Sequence, residues 1–229
     1  MTLRFTSNLI LATAFAWLSS LTHAQTTNVG KVEGNQYTSP TGVFRVTIPV
    51  IAEFSGTITD TENVVTFQDD FTTYQTIACF KMDDRLRHEE DTRGRKDFLI
   101  WFFSNTVQAE LLQLFPGTRV ESAHYIHSIN DGALLTYNLL PGGSMFAERA
   151  VITNTGIPII AKRGNLVFVK NGSVFIMSIE LVEKSVENIA YTQTVAEQDA
   201  DLRKRLMTLL DAITFASIPT AESAQTPAK

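Results

Sequence analysis

Between Thr118 and Val182 the chain repeats one pattern: a β-rich apolar run, then a turn too short for anything but reversal. Asn130-Asp131-Gly132 separates Thr118–Ile129 from Ala133–Leu140. Pro141-Gly142-Gly143-Ser144 precedes Met145–Thr153, and Asn171-Gly172 joins Asn165–Lys170 to Ser173–Val182. Parallel neighbours need a crossover of about a dozen residues or more, so these strands predict an antiparallel sheet. Asn-Gly is the strongest hairpin signal of the set, because both residues tolerate the positive φ of a tight primed turn. Ile157–Ala161 and Asn165–Lys170 predict a further strand or a bent pair. Within Ser173–Val182, the period of two puts Phe175, Met177, Ile179 and Leu181 on one face.

The first half mixes both periods. Phe44, Val46 and Ile48 alternate with Arg45 and Thr47, a half-buried strand that Pro49 ends or confines to an edge. Asn63–Gln68 and Tyr74–Met82 predict two more strands around a hairpin-like Asp69–Thr73. Residues 81–97 carry basic and acidic side chains in equal number. Asp83–Arg87, Arg85–Glu89, Glu89–Arg93 and Asp91–Arg95 stand four apart, so a helix here would have its solvent face laced by ion pairs worth a few tenths of a kcal/mol each. Gly94 predicts that part of the stretch is loop. From Asp97 to Phe115 the period becomes helical. Leu99, Phe103, Val107, Leu111 and Leu114 form a stripe with Phe98, Trp101 and Phe102 beside it, and Pro116-Gly117 stops it. Residues 197–215 predict a last helix with Leu202, Leu206, Leu209, Leu210 and Ile213 buried. Together these elements predict an α+β domain: a twisted antiparallel sheet with one mid-chain helix and one C-terminal helix packed on it.

The domain is expected to occupy residues 37–216. Residues 1–24 hold one cation, Arg4, an apolar run from Leu9 to Leu18 and Thr22-His23-Ala24 before Gln25, the layout of a secretory signal peptide. An apolar run this short is poorly matched to a bilayer, which takes about 20 residues to span, and no later stretch is long and apolar enough. Residues 25–36 read as a loose N-terminus and 217–229 as a disordered tail. The net charge of −5, or −6 without Arg4, disfavours nucleic acid as a partner. Cys79 is the only cysteine, so the fold has no internal disulfide although an exported chain meets an oxidising compartment. A bacterial periplasm or exterior is the expected location.

The stretch Gly42-Val43-Phe44-Arg45-Val46-Thr47-Ile48-Pro49 resembles the first strand of PsbP-like domains. The ending is similar too: a long hairpin over Asn165–Val182, a spacer, and a helix closing on Leu210-Asp211-Ala212-Ile213-Thr214-Phe215. The resemblance covers most of Tyr37–Phe215 in the order of elements. It implies a layered domain that serves chiefly as an accessory, assembly or binding protein, and it implies no catalytic set.

The residues themselves offer little chemistry. His124 and His127 make H-x-x-H, but on a strand they point to opposite faces and cannot chelate one ion. The carboxylates of Asp83, Asp84, Glu89, Glu90 and Asp91 lack the spacing of a calcium loop and have basic neighbours competing for them. Cys79 lies in an apolar strand and reads as a buried structural thiol, since a nucleophile needs a base or a helix N-terminus beside it. Ser55-Gly56 and Gly143-Ser144 make no nucleophile elbow, and Asn171-Gly172-Ser173 reads as a turn before a glycosylation acceptor. No catalytic, metal or cofactor residues are assigned. Phe71, Trp101 and Arg149 are the surface candidates for contact with a partner or small ligand. The expected function is that of an exported, non-catalytic accessory or binding protein. The alternatives are a secreted hydrolase whose site forms only in three dimensions and an envelope lipid-binding module.

Overall fold

The computed structural model describes residues 29–69, 73–142, 160–181 and 193–216. Three short strands, β1 (Lys31–Glu33), β2 (Gln36–Thr38) and β3 (Phe44–Thr47), open the fold. They pair in the order β1-β2-β3-β11, the last strand being β11 (Ile213–Phe215). The main sheet has seven strands: β4 (Thr57–Asp60), β5 (Val64–Gln68), β6 (Tyr74–Lys81), β7 (Arg119–Ile126), β8 (Ala133–Pro141), β9 (Ile160–Lys170) and β10 (Ser173–Leu181). Their order is β4-β5-β6-β10-β9-β8-β7, antiparallel throughout.

Both faces of the main sheet are covered, which is why β9 and β10 are buried at nearly every position. Phe175, Met177, Ile179 and Leu181 of β10 do share one face. They pack with Tyr37, Phe44 and Val46 of the small sheet and with Leu202, Leu206 and Leu209 of the C-terminal helix. Val174 and Ile176 face the other way, against Phe98, Leu99 and Phe102. The protein is therefore α+β, with the main sheet in the middle, mid-chain helices on one face, and the last helix and small sheet on the other. No helix among the described residues is long and apolar enough to cross a membrane.

The mid-chain helix region has more parts than its sequence pattern suggests. Helix α1 (Asp84–Arg93) is capped by the Asp83 carboxylate, which accepts from the Leu86 N–H at 2.7 Å. Of the spaced charge pairs, Glu89–Arg93 closes at 2.7 Å, whereas Asp83 serves the cap and Arg87 donates to the Met82 carbonyl at 2.7 Å. The chain breaks at Gly94, as its glycine predicts, and continues as α2 (Arg95–Phe102). A π-helical turn over Phe103–Val107 and then α3 (Gln108–Leu114) follow. The wider turn rephases the stripe: Leu111 is buried but Leu114 is 52% exposed.

Two further differences lie near the ends. Residues 31–33 form β1 and Gln36 begins β2, so the stretch read as a loose N-terminus contributes strands. Val29 and Gly30 N–H groups donate to the Asp60 carboxylate at 2.8 and 2.7 Å, and Tyr37 Oη donates to it at 2.7 Å. The last helix, α4, runs Val195–Asp211 behind a Thr194/Glu197 capping box, and Ile213–Phe215 leave it to form β11 against β3. The β-branched Ile213 and Thr214 suit an extended strand, and Phe215 gains an edge contact on the stacked Phe168–Phe175 pair, with ring centroids 6.0 and 5.1 Å away. Asn171 and Gly172 have φ of 51° and 71°, the reversal their dipeptide predicts between β9 and β10. Residues 157–159, the Met145–Thr153 strand, Val182, the 217–229 tail and the proposed signal peptide lie outside the described residues.

Helix α4 is tied to the sheet through a buried lysine. Lys162 of β9 is 1% exposed, and its Nζ lies 2.5 Å from Glu121 of β7 and 2.5 Å from Asp199 of α4. The same ammonium stands 5.6 Å from the centre of the Tyr137 ring, whose hydroxyl donates to the Asp199 carbonyl at 2.9 Å. Gly164 lets α4 approach: a Cβ there would sit 3.1 Å from Leu206 and 3.3 Å from Leu202.

Candidate functional site

On the helix-covered face the sheet is not uniformly apolar. Leu134, Val167, Ile176 and Ala78 form an oily row beneath α2. One register step along, the residues become polar. Thr136, Asn165, Ser178, Thr76 and Thr66 are successive cross-strand partners over five strands. One step further come Asn138, Arg163 and Glu180, again cross-strand neighbours. Beyond them Leu140 and Ala161 form a small apolar patch with Leu111 of α3. The polar rows thus separate two apolar patches, and the π turn carries the helix from one patch to the other.

Most of these buried groups hydrogen-bond to one another, as burial in low dielectric favours, while Asn138 Nδ2 finds no partner among the described residues. Ser178 Oγ donates to Asn165 Oδ1 at 2.8 Å. Asn165 Nδ2 donates to Asn138 Oδ1 at 3.0 Å and to Thr136 Oγ1 at 3.3 Å, and Thr136 Oγ1 donates to Asn138 Oδ1 at 3.1 Å. Arg163 Nη2 donates to Thr76 Oγ1 at 3.3 Å. Burial pushes the Arg163 guanidinium down from its ordinary pKa, while the charges of Glu180 and then Glu110 oppose that shift. Glu110 projects from α3 toward the same cation. Burial raises its carboxyl to about 7, against the pull of Arg163.

The Thr136 end of this network opens into a cleft of about 510 Å³ between the helices and the edge of the sheet. Lys96, Ile100, Ser104 and Gln108 form its helical wall, with Phe103 below. In an α-helix a series spaced by four drifts around the axis by about 40° per step. The π turn, closed by longer i→i+5 bonds, takes back part of that drift, so all four residues border one cleft. Asn105, inside the π turn, donates its side-chain amide to the Trp101 carbonyl at 2.8 Å. Opposite stand Val120, Ala123 and Tyr125 of β7, with Leu134 and Thr136 of β8. His127 and His124 complete the lining. The volume lies in the range of small-ligand sites, about 300–1,000 Å³, and the mixture of apolar walls with a few polar groups is typical of them.

A bulge between Val120 and Ser122 decides which β7 residues face the cleft. Plain alternation would place Val120 beside Ser122 and His124, and Glu121 beside Ala123. The extra residue exchanges them: Val120 joins the helix-side core while Glu121 turns to Lys162 and α4. Past the bulge the histidines lie on opposite faces, as the strand period predicts. His124 stands 6.3 Å from the Tyr137 ring and His127 packs edge-on to Tyr125 at 4.6 Å. Among the described residues no group of three His, Cys, Asp or Glu is placed to hold a metal ion.

The remaining sequence candidates stand apart from the cleft. Cys79 lies on β6 and faces the other side of the sheet, beside the core of Tyr37 and Phe175. Burial raises its thiol to about 11, with a hydrogen bond from the Ser173 side chain working the other way. Four inter-strand steps separate β6 from β7, or about 19 Å at about 4.8 Å per step. Cys79 and His124 therefore do not form a nucleophile–base pair. Of the acidic cluster, Asp83 caps α1 and Glu89 and Glu90 pair with Arg93 and Arg95. Trp101 is half-buried beside Phe98, 6.1 Å between centroids, with the Arg93 guanidinium 5.2 Å over its ring, and it does not line the cleft. Phe71 and Arg149 fall outside the described residues. Sequence reasoning missed Lys96, Ser104, Gln108 and Thr136, whose only signal was the polar Ser104-Asn105-Thr106 interruption of an apolar helix.

No family model matches the sequence, and no curated protein matches it. Among solved structures the chain is similar to cyanobacterial PsbP (CyanoP) from Synechocystis, at 11% identity and a TM-score of 0.45, covering 82% of this chain and 99% of that one. It is also similar to the Ran-binding protein Mog1p of Saccharomyces cerevisiae, at 4% identity and a TM-score of 0.44, covering 81% and 95%. A Bacteroides thetaiotaomicron structure matches 81% of the chain at 12% identity and a TM-score of 0.39, and there the chain spans half of the other protein's length. A cyanobacterial PsbP thus stands among the matches, as the sequence resemblance anticipates, and the likeness is one of overall fold.

Proposed function

We propose that this chain is an exported, non-catalytic binding protein whose ligand occupies the cleft between α2–α3 and the β7–β8 edge. The cleft itself carries the reading. It has apolar walls in Ile100, Phe103 and Leu134, and polar groups converge at its rim and floor in Lys96, Gln108 and Thr136. That combination recognises a molecule. The one cysteine supplies no nucleophile there, because it lies across the sheet with its thiol held protonated by burial. Export rests on the pattern of residues 1–24, and mature protein beginning at Gln25 is the expected product on N-terminal sequencing.

Complementation of a deletion strain tests the proposal. Ala123→Trp fills the cleft from an exposed strand position and should fail to complement while remaining folded by circular dichroism and thermal melting. Cys79→Ala and His124→Ala should complement. Full activity of the filled variant would refute the cleft as the working site, and loss of activity in folded Cys79→Ala or His124→Ala would point to catalysis instead.

A further inference from the structure

The two edges of the main sheet are treated differently. At one, β4 is only four residues long, and the N-terminal segment is tied across its end by the Val29 and Gly30 bonds to Asp60. At the other, β7 is eight residues long, and no strand lies outside it among the described residues. From Ser122 to Ile126 it pairs with β8 in unbroken register. Antiparallel pairing uses the N–H and C=O of alternate residues, so the intervening residues direct theirs away from the sheet. A regular edge left unpaired is a template for another chain unless something blocks it, and the bulge at Val120/Ser122 confines that template to Ser122–Ile126.

The cleft runs along this edge. Ala123, His124 and Tyr125 are consecutive, and their side chains point alternately to opposite faces, yet all three border it. The strand edge itself is therefore part of the wall. Ala123, at the middle, is exposed and adds little bulk. About five residues of an added strand would lie along Ser122–Ile126, roughly 17 Å, with alternate side chains facing Ile100 and Phe103.

Charge indicates what such a strand carries. Lys96 and His127 are exposed at one end of the cleft, and Arg119 and His124 are exposed on β7. The one acid on the strand, Glu121, is held by Lys162. Lys96 on the cleft wall and Arg119 on the strand are thus the cations beside the cleft, on a chain of net charge −5.

We infer that the cleft binds an extended acidic segment of a partner protein, which adds to β7 as an eighth strand and places alternate apolar side chains beneath α2 and α3. The inference rests on the cleft being the binding site and adds the class of partner and its mode of attachment.

The test is a display library of random linear nonapeptides, selected on the folded protein and counter-selected on Ala123→Trp. The expected result is enrichment of sequences that alternate apolar residues and carry Asp or Glu. The best binder should slow hydrogen exchange at amides within Ser122–Ile126. Methylating its alternate backbone nitrogens, or replacing Lys96 by Glu in the protein, should weaken it at least tenfold. Enrichment of neutral or basic sequences, or tight binding that survives methylation of each set of alternate nitrogens in turn, would overturn the addition of an acidic strand. So would a library with no enrichment. Loss at one set with tolerance at the other is the result strand addition predicts. If the strand-addition result fails while Ala123→Trp still abolishes complementation, the cleft remains the site and takes another class of ligand. If Ala123→Trp complements as well, the cleft reading falls with it.

Discussion

Replacing Glu110 by glutamine should remove a component of the protein's pH dependence and stabilise it at neutral and alkaline pH. Glu110 reaches from α3 toward a guanidinium, Arg163, that already has a fully buried carboxylate, Glu180, as cross-strand neighbour. Two carboxylates thus face one cation in a place with little water. Burial raises the Glu110 carboxyl from the usual 4.5 to about 7. Between those values the folded protein holds a proton that the unfolded chain has released. Stability is then fully present below pH 4.5 and falls as pH rises through 7, the opposite sense to a salt-bridged carboxylate. A shift of this size, from 4.5 to about 7, corresponds to at most about 3.5 kcal/mol at roughly 1.4 kcal/mol per unit. Partial exposure of Glu110 reduces the expectation to about 1–3 kcal/mol. Glutamine keeps the shape and cannot ionise. Urea unfolding at constant ionic strength, from pH 4.5 to 8, measures the difference between wild type and Glu110→Gln. Every other group is common to the two proteins and cancels in that difference. The curves should meet near pH 4.5 and diverge with pH, the variant being the more stable at pH 8. Parallel curves, or a variant less stable at pH 8, would refute the argument and make the Glu110 charge a needed partner of Arg163.

Three other outcomes follow from the packing. Cys79 should react slowly with a thiol reagent at pH 8 in the native state and rapidly in denaturant, because burial raises its pKa to about 11; equal fast rates would contradict its burial. Lys162→Ala should cost about 3–5 kcal/mol in chemical denaturation, since it leaves Glu121 and Asp199 facing each other without their cation. Gly164→Ala should cost about 1–3 kcal/mol, read as a lowered Tm, because α4 must retreat from the new methyl group.

The antiparallel half of the fold was legible because its signals are local. Asn171-Gly172 and the period-two run that follows it specify a hairpin without reference to anything distant, and β9 and β10 formed where those letters placed them. The buried face of α4 was equally plain, but its end was not. Ile213 satisfies a helical stripe and a strand alike, and only pairing with β3, about 170 residues earlier in the chain, decides the matter. The mid-chain helix shows the same limit. Leu114 continues the stripe on paper, yet a π turn shifts the phase and leaves it in solvent. The candidate site was the least legible part. Its polar floor comes from single residues on β8, β9, β10 and β6, each unremarkable in its own strand, that become a row only through register. The bulge at Val120/Ser122, which sorts Glu121 to one face and Val120 to the other, has no signature in the sequence.

The central claim is that this protein works through the cleft beside β7, and in-cell photocrosslinking tests it most directly. A benzoylphenylalanine would be placed at His127, an exposed position at one end of the cleft that leaves its interior open. As a control, another would stand at Val195, which is 53% exposed at the start of α4, away from the cleft. On irradiation of cells expressing each form, position 127 should yield one discrete adduct that disappears when Lys96 is also replaced by Glu, and position 195 should yield none. Adducts of equal intensity at both positions, or at 195 alone, would contradict the account.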